Sequence, residues 1–329
     1  MTVKTKLPPY LLWFDDISYE DLSRVGGKNA GLGELHRRLA VHGIKLPYGF
    51  AVMAGAYRHF LEVNKLEAQM KAAFGNFQRG QIGLEELGRS LRALILNGTL
   101  PKDLSDALGK GYDLLCERCG GEVALAVRSS ATAEDLPEAS FAGLQESYLN
   151  VRGKSDFRQA VQRCYASLFT DRAISYRLEH RISDLAVDLS VGVQQLVDAS
   201  DGVSGVLFTL DTESGKRDVV LINASYGLGE TIVQGVVNPD EYYVFKPTLL
   251  NGKKAILERR VGGKEVKVVT DVGGGRGTRT TTVNEEDRLR FALRDDEVEK
   301  IALWGCHIEE EFSKTCLLYT SDAADDTPC

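Results

Sequence analysis

The sequence predicts an α+β protein with a helix-rich N-terminal lobe followed by a sheet-rich lobe. Apolar residues recur at helical spacing before residue 188, whereas short β-branched and aromatic runs between Gly, Asp and Pro turns follow it. The length of 329 residues also exceeds what one compact core usually holds. We therefore expect lobes at residues 1–188 and 189–315, with residues 316–329 standing apart.

The N-terminal lobe contains several amphipathic segments. "VGGKNAGLGELHRRLA" predicts a helix that starts near Lys28, just after two glycines. "GAYRHFLEVNKLEAQMKAAF" and "GLEELGRSLRALIL" predict further helices, and "SDFRQAVQRCYASLFTDRAISYRLEHR" predicts one long helix with Ser155 or Asp156 as its N-cap. The alternating run "EVALAVRSS" predicts a strand.

The second lobe is predicted to be a sheet built from hairpins. Its candidate strands are "LSVGVQQLV", "GVSGVLFTL", "DVVLINASYG", "DEYYVFKP" and "AILERRV". "VVTDVGGGRGTRTTTV" predicts a glycine-rich loop, and a closing helix is expected over residues 285–314.

Composition limits the classes of function. A net charge of −7 argues against a nucleic-acid surface, which usually carries a basic excess. No apolar run is long enough to span a membrane, and the N-terminus lacks a signal-peptide cleavage site, so we expect a cytoplasmic protein. The six cysteines include a single CxxC, and a structural zinc site needs more ligands, so we expect reduced thiols and no metal there.

The last fourteen residues differ in character from the helical segment before them. "CLLYTSDAADDTPC" resembles one reading frame of a transposon-type sequencing-library adapter. We therefore expect residues 316–329 to be non-native and the natural sequence to be interrupted near Lys314.

A run of small residues suggests a phosphate site. In "AVRSSATAEDLPEASFAG", Arg128 precedes Ser129 and other hydroxyl side chains, and Gly143 closes the run. Polyphosphate is bound by backbone N–H groups and fixed cations, and close backbone approach requires small side chains. Lys28 is a second candidate cation, although a lysine after two glycines is commonly a solvated helix start. Each signal is weak alone, and their joint presence supports phosphate binding.

Several long motifs carry a family resemblance. "VGGKNAGLGEL", "AVRSSATAEDLPEASFAGLQESYLNV", "VGVQQLV", "GVLFTLDTESG" and "YGLGETIVQGVVNPDEYYVFKPTL" resemble the N-terminal nucleotide-binding domain of the phosphoenolpyruvate synthase (pyruvate, water dikinase) family. The resemblance runs from about residue 14 to residue 314. It implies an ATP-grasp-like fold that binds ATP and Mg²⁺.

The resemblance also implies roles for individual residues. Arg128, Ser129 and Lys28 would contact the phosphates, Gly143 would offer a backbone amide, and Ser147 a hydroxyl. Gln194 would lie on the strand that lines the adenine, together with Gln195, Leu196 and Val197. Glu230 is a candidate for either the ribose or the metal.

In that family, ATP, pyruvate and water become AMP, phosphoenolpyruvate and phosphate through a phosphohistidine on a separate domain. None of the five histidines here fits the phosphohistidine motif, and no pyruvate-binding barrel is present, so we expect no catalytic residue in this chain. The family's metal-binding carboxylates are expected beyond Lys314, where the adapter-like tail begins, and so we expect them to be missing from this chain. We therefore expect a fragment that binds nucleotide without turnover, whose partners are ATP and, in the intact protein, its own phosphohistidine and pyruvate-binding domains.

Two alternatives remain open at this point. A rifampicin phosphotransferase has a related nucleotide domain, although "VVNPDEYYVFKPTLLNGKKAILERR" is more similar to the synthase. A non-catalytic nucleotide-binding module is the alternative from a different functional class.

Overall fold

The computed structural model describes residues 6–132, 135–136, 139–140, 146–180, 187–271 and 277–313. Within them the chain forms two compact units. The first contains residues 6–37 and 46–196, and the second contains residues 38–45 and 197–313. Helices and strands occur in both units, which confirms the α+β class.

The part of the chain up to residue 196 alternates helices with short strands. Its helices are α1 (Leu22–Val25), α2 (Gly27–Leu39), α3 (Ala54–Val63), α4 (Leu66–Gln78), α5 (Leu84–Asn97), α6 (Lys102–Cys119), α7 (Gly153–Ser167) and α8 (Asp171–Glu179). Its strands are β1 (Leu11–Trp13), β2 (Gly49–Val52), β3 (Leu125–Ala131), β4 (Asp135–Leu136), β5 (Ala139–Ser140), β6 (Ser147–Val151) and β7 (Leu189–Gln195).

A five-stranded antiparallel sheet with the order β1-β2-β7-β3-β6 organises the first unit. Strand β7 pairs with β2 on one side and with β3 on the other. It therefore completes the first unit, and the two units divide after Leu196. This differs from the boundary after residue 188 that we expected, because the pairing partners of β7 lie far earlier in the sequence.

The two faces of this sheet contact different helices. On one face, Val127 and Val193 belong to a large apolar cluster that also includes side chains of α3, α5, α6 and α7. On the other face, Ala51 packs with Val25 of α1 and Ala30 of α2. Because side chains alternate between faces along a strand, neighbouring residues of β3 and β7 enter different environments.

Two of the expected helices are each divided in two. Lys65, with a left-handed φ of 53°, separates α3 from α4. The long helix expected over residues 155–181 is divided at Thr170, whose hydroxyl caps the first turn of α8. Helix α7 begins at Gly153, so neither Ser155 nor Asp156 is its N-cap, contrary to our expectation.

The second unit contains a four-stranded antiparallel meander, as its hairpin-like sequence predicts. Its strands are β8 (Val203–Phe208), β9 (Val219–Tyr226), β10 (Asp240–Phe245) and β11 (Ile256–Arg260), in the order β11-β10-β9-β8. A separate hairpin joins β12 (Val266–Thr270) to β13 (Thr278–Thr282). The helices are α9 (Glu230–Val233), α10 (Lys246–Leu250), α11 (Glu285–Arg288) and α12 (Asp295–Ser313).

Helix α12 supplies the core of the second unit. Val298, Ala302 and Cys306 are buried against Val220 and Ile222 of β9. The closing helix expected over residues 285–314 is in fact α11 and α12, separated by residues 289–294. The centre of the expected glycine-rich loop, residues 272–276, lies outside the described residues, and its flanks form β12 and β13.

A fully buried ion pair anchors one corner of the second unit. Lys264 and Asp240 have no exposed side-chain surface, and the ammonium donates to the carboxylate. Asp240 also accepts hydrogen bonds from the amides of Gly262 (2.8 Å) and Ala292 (2.7 Å). These bonds satisfy a carboxylate whose burial would otherwise be costly.

Candidate functional site

Three of the predicted site residues share one face of the five-stranded sheet. Arg128 of β3 is paired with Ser147 of β6 on one side and with Gly192 of β7 on the other. Gln194 lies two residues beyond Gly192 and is paired with Ala126. Since directly paired residues of antiparallel strands lie on the same face, Arg128, Ser147 and Gln194 line one surface.

The start of helix α2 packs on this same face. Gly26 precedes the helix with φ of 75°, and a Cβ placed there would lie 2.5 Å from Ser130 Oγ. Asn29, in the first turn, reaches β7, because a Cβ on Gly192 would lie 2.4 Å from its Oδ1. The segment that carries Lys28 is thus brought to the strands that carry Arg128 and Gln194.

Asn29 and Ser190 form a buried polar contact that sequence reasoning missed. Asn29 Nδ2 donates to Val25 O and to Ser190 Oγ, both at 3.0 Å, and Ser190 Oγ donates to Val52 O at 2.8 Å. Asn29 stands directly after Lys28 in the quoted motif "VGGKNAGLGEL", and this adjacency is the signal that could have identified it.

The electrostatics of this face suit an anion. Arg128 is exposed although the rest of β3 is buried. Ala30 N donates to Gly26 O at 3.0 Å, so helix α2 begins directly beside this face. A guanidinium beside a helix N-terminus can hold phosphate oxygens by charge-assisted hydrogen bonds.

Ser129 and Gln195 are placed differently from their neighbours. Both alternate with residues of the Arg128 face and therefore belong to the opposite face of the sheet. Ser129 is only 1 % exposed, and its hydroxyl has no hydrogen-bond partner among the described residues. The structure therefore does not bring the Ser129 side chain together with Arg128.

Leu196 and Val197 mark the point where the chain leaves the sheet. The Gln195 amide donates to Tyr48 O and the Leu196 amide to Ala124 O, both at 2.8 Å. These two backbone donors are therefore already used within the first unit. Val197, the first residue of the longer segment of the second unit, is 64 % exposed.

Glu230 belongs to the second unit, where it begins helix α9. Its carboxylate is half-buried and accepts a hydrogen bond from Thr278 Oγ1 at 3.2 Å. Gly143 lies outside the described residues, as do most of the small-residue run after Thr132 and every residue beyond Ser313. Most of the predicted small-residue phosphate loop and the expected adapter-derived tail fall in those parts of the chain.

The described ranges contain neither a metal cluster nor a membrane helix. No group of three or more His, Cys, Asp or Glu side chains in these ranges could hold a metal ion. Cys116 and Cys119 are free thiols, and burial raises the pKa of Cys119. None of the described helices is both long and apolar enough to cross a bilayer.

Comparison with known proteins identifies the family. Residues 22–317 match the family described as "Pyruvate phosphate dikinase, AMP/ATP-binding domain". The chain is 46 % identical to the phosphoenolpyruvate synthase of Synechocystis sp. over 325 residues, which are 97 % of this chain and 40 % of that relative. It is 48 % identical to the phosphoenolpyruvate synthase of Aquifex aeolicus over 306 residues, covering 92 % of this chain and 36 % of the relative.

A third phosphoenolpyruvate synthase, from Escherichia coli, is 39 % identical over 309 residues, covering 93 % of this chain and 39 % of the relative. The chain thus spans 36–40 % of the length of these relatives. The resemblance predicted from the motifs is confirmed. Because the family match extends over most of the sequence, this chain belongs to the family of pyruvate phosphate dikinase AMP/ATP-binding domains.

Proposed function

We propose that this chain binds ATP and that Arg128 holds the phosphates. The observation that carries the proposal is the position of Arg128, exposed on a sheet face that also carries Ser147 and Gln194 and that receives the start of α2. A guanidinium presents a planar fork of donors that matches phosphate oxygens.

The other predicted residues have roles that follow from their chemistry. Lys28 supplies a second cation at a helix N-terminus, where the helix dipole also favours negative charge. The Ser147 hydroxyl beside Arg128 can donate to a phosphate oxygen, while the Gln194 amide can pair with the adenine edge. Glu230 serves the ribose or the metal. We assign the two units to an ATP-grasp-like fold.

The full-length protein is proposed to catalyse the phosphoenolpyruvate synthase reaction. The chain would then supply the ATP site, while the phosphohistidine and the pyruvate site belong to further domains. Mg²⁺ would neutralise charge on the phosphates during transfer. Its ligands are proposed to follow Lys314 in the full-length protein, as the family resemblance implies. Within the described ranges, no three His, Cys, Asp or Glu side chains are grouped to hold a metal ion.

Thermal unfolding of the chain with and without ATP tests this proposal, with GTP as the competing nucleotide. A ligand present at about 100 times its dissociation constant should stabilise the protein by about 2.7 kcal/mol. We expect a shift in melting temperature that is specific to ATP and that is lost in Arg128→Ala.

The matched control is Arg89→Ala, because Arg89 is also exposed but pairs with Glu85 on the distant helix α5. This variant should keep the full ATP shift. A folded chain that shows no ATP shift would refute the proposal, and an unchanged shift in Arg128→Ala would refute the role of Arg128.

A further inference from the structure

We propose that Asn29 is a positioning residue for the phosphates, because its carboxamide sets where the Lys28 segment lies relative to Arg128. The inference rests on the proposed ATP binding and deepens it. Asn29 would not touch the nucleotide. It would act through the two cations that do.

The contact between Asn29 and Ser190 is buried, and every side-chain hydrogen-bond donor in it has an acceptor. Asn29 is 2 % exposed and Ser190 is 0 % exposed. Both amide hydrogens of Asn29 have acceptors, Val25 O and Ser190 Oγ, and the single hydroxyl hydrogen of Ser190 goes to Val52 O. One chain of hydrogen bonds therefore joins α1, the start of α2, β7 and β2.

The same side chain also reaches the strand residue opposite Arg128. The oxygen of the Asn29 amide lies over Gly192, where a Cβ would be only 2.4 Å away, and Gly192 is paired with Arg128. Gly26, just before α2, comes about as close to Ser130 of the neighbouring strand β3, because a Cβ on Gly26 would lie 2.5 Å from Ser130 Oγ. Side-chain hydrogen bonds and two close backbone approaches thus hold the helix start on this face.

A directional contact has a consequence that apolar packing does not. A leucine at position 29 could fill space, but it could not specify a position through hydrogen-bond geometry. Two cations that bind one polyphosphate must be held at a definite separation, because charge-assisted hydrogen bonds weaken when donor and acceptor are misplaced. Asn29 therefore controls phosphate affinity without contributing charge.

The test measures dissociation constants of ATP and of adenosine for the full chain by calorimetry, at a temperature where circular dichroism shows each variant folded. Asn29→Ala should weaken ATP binding by about tenfold or more, which corresponds to the loss of about one charge-assisted hydrogen bond to phosphate. Adenosine has no phosphate, so its affinity should change by less than about twofold. A merely structural role would not separate the two ligands.

Further variants of the same contact sharpen the test. Ser190→Ala should weaken ATP in the same direction, whereas Ser190→Thr keeps the hydroxyl and should preserve the affinity. The double variant of Asn29→Ala and Ser190→Ala should bind ATP no more weakly than Asn29→Ala alone, because both changes remove one shared contact.

The matched control is Asn64→Ala. Asn64 Nδ2 also bonds two acceptors in the first unit, Phe60 O at 2.8 Å and Thr99 O at 2.9 Å. Loss of the Asn64 carboxamide in Asn64→Ala should lower the melting temperature and leave the affinity for ATP unchanged.

The outcomes separate the inference from the proposed function. If the unaltered chain binds no ATP, the proposed function fails and the inference fails with it. If the unaltered chain binds ATP and folded Asn29→Ala binds it equally well, or loses ATP and adenosine to the same degree, only the inference is overturned. If Asn29→Ala does not fold, Ser190→Ala decides by the same criteria.

Discussion

Replacement of Gly192 by alanine should destabilise the first unit through one identifiable contact. The added methyl would lie 2.4 Å from Asn29 Oδ1, and ordinary contact begins near 3.4 Å. Either the methyl or the amide must therefore move by about 1 Å. The amide cannot swing away cheaply, because Asn29 is buried and its nitrogen bonds both Val25 O and Ser190 Oγ.

The expected cost follows from overpacking. Extra methyl groups in a well-packed interior cost about 1–3 kcal/mol. For a domain of 150–250 residues, a loss of about 2 kcal/mol lowers the melting temperature by about 4–8 °C. Scanning calorimetry of the unaltered chain and Gly192→Ala measures this difference directly.

A double-mutant cycle tests the reason given for the loss. Asn29→Ala removes the amide oxygen, so in that background Gly192→Ala should cost less than about 0.5 kcal/mol. Equal costs of Gly192→Ala in both backgrounds would show that the contact with Asn29 is not the cause. The control is Gly31→Ala in α2, where a Cβ meets nothing within 4 Å, and which should stabilise the protein by about 0.5–1 kcal/mol.

Two further predictions concern charged groups away from the site. Lys264→Met should lower the stability of the second unit by about 3–5 kcal/mol in thermal unfolding, because it leaves the buried Asp240 carboxylate without its cation; a loss no larger than that of exposed Lys253→Met would contradict this. A hydrogen bond with His36 holds the pKa of Asp15 well below its usual range. Because the folded pKa is the lower one, this stabilisation is present above the unfolded value of 3.8 and is lost as the pH falls. In urea unfolding, Asp15→Asn should therefore have a lower free energy of unfolding than the unaltered chain at pH 6, and this difference should be smaller at pH 3. A difference in unfolding free energy that does not depend on pH would refute this.

Local patterns identify most of the elements but not how the strands pair. Helix α5 and strands β3 and β7 to β11 lie where periodicity and alternation predict them. The sheet of the first unit was not expected, because β1 and β2 contain only three and four residues and β7 joins strands from distant parts of the sequence. Such long-range pairing depends on tertiary contacts that a local sequence pattern does not reveal. From the pattern alone, β7 is therefore expected at the start of the second lobe.

The sequence by itself supplies the evidence for the chemistry proposed at the candidate site. A lone arginine before small hydroxyl residues, and a lysine after two glycines, together indicate phosphate binding. Motif resemblance alone adds Ser147 and Gln194. These residues can be found because charge, side-chain size and order along the chain are properties of the sequence itself.

Only the tertiary structure decided which of these side chains meet. Strand alternation places Arg128 and Ser129 on opposite faces, but the sequence does not say which helix covers each face. The structure buries the Ser129 side chain on the face opposite Arg128. Asn29 is a polar residue of a kind that is mostly exposed. It is buried here because folding brings Ser190 and Gly192 against it, from more than 150 residues further along the chain.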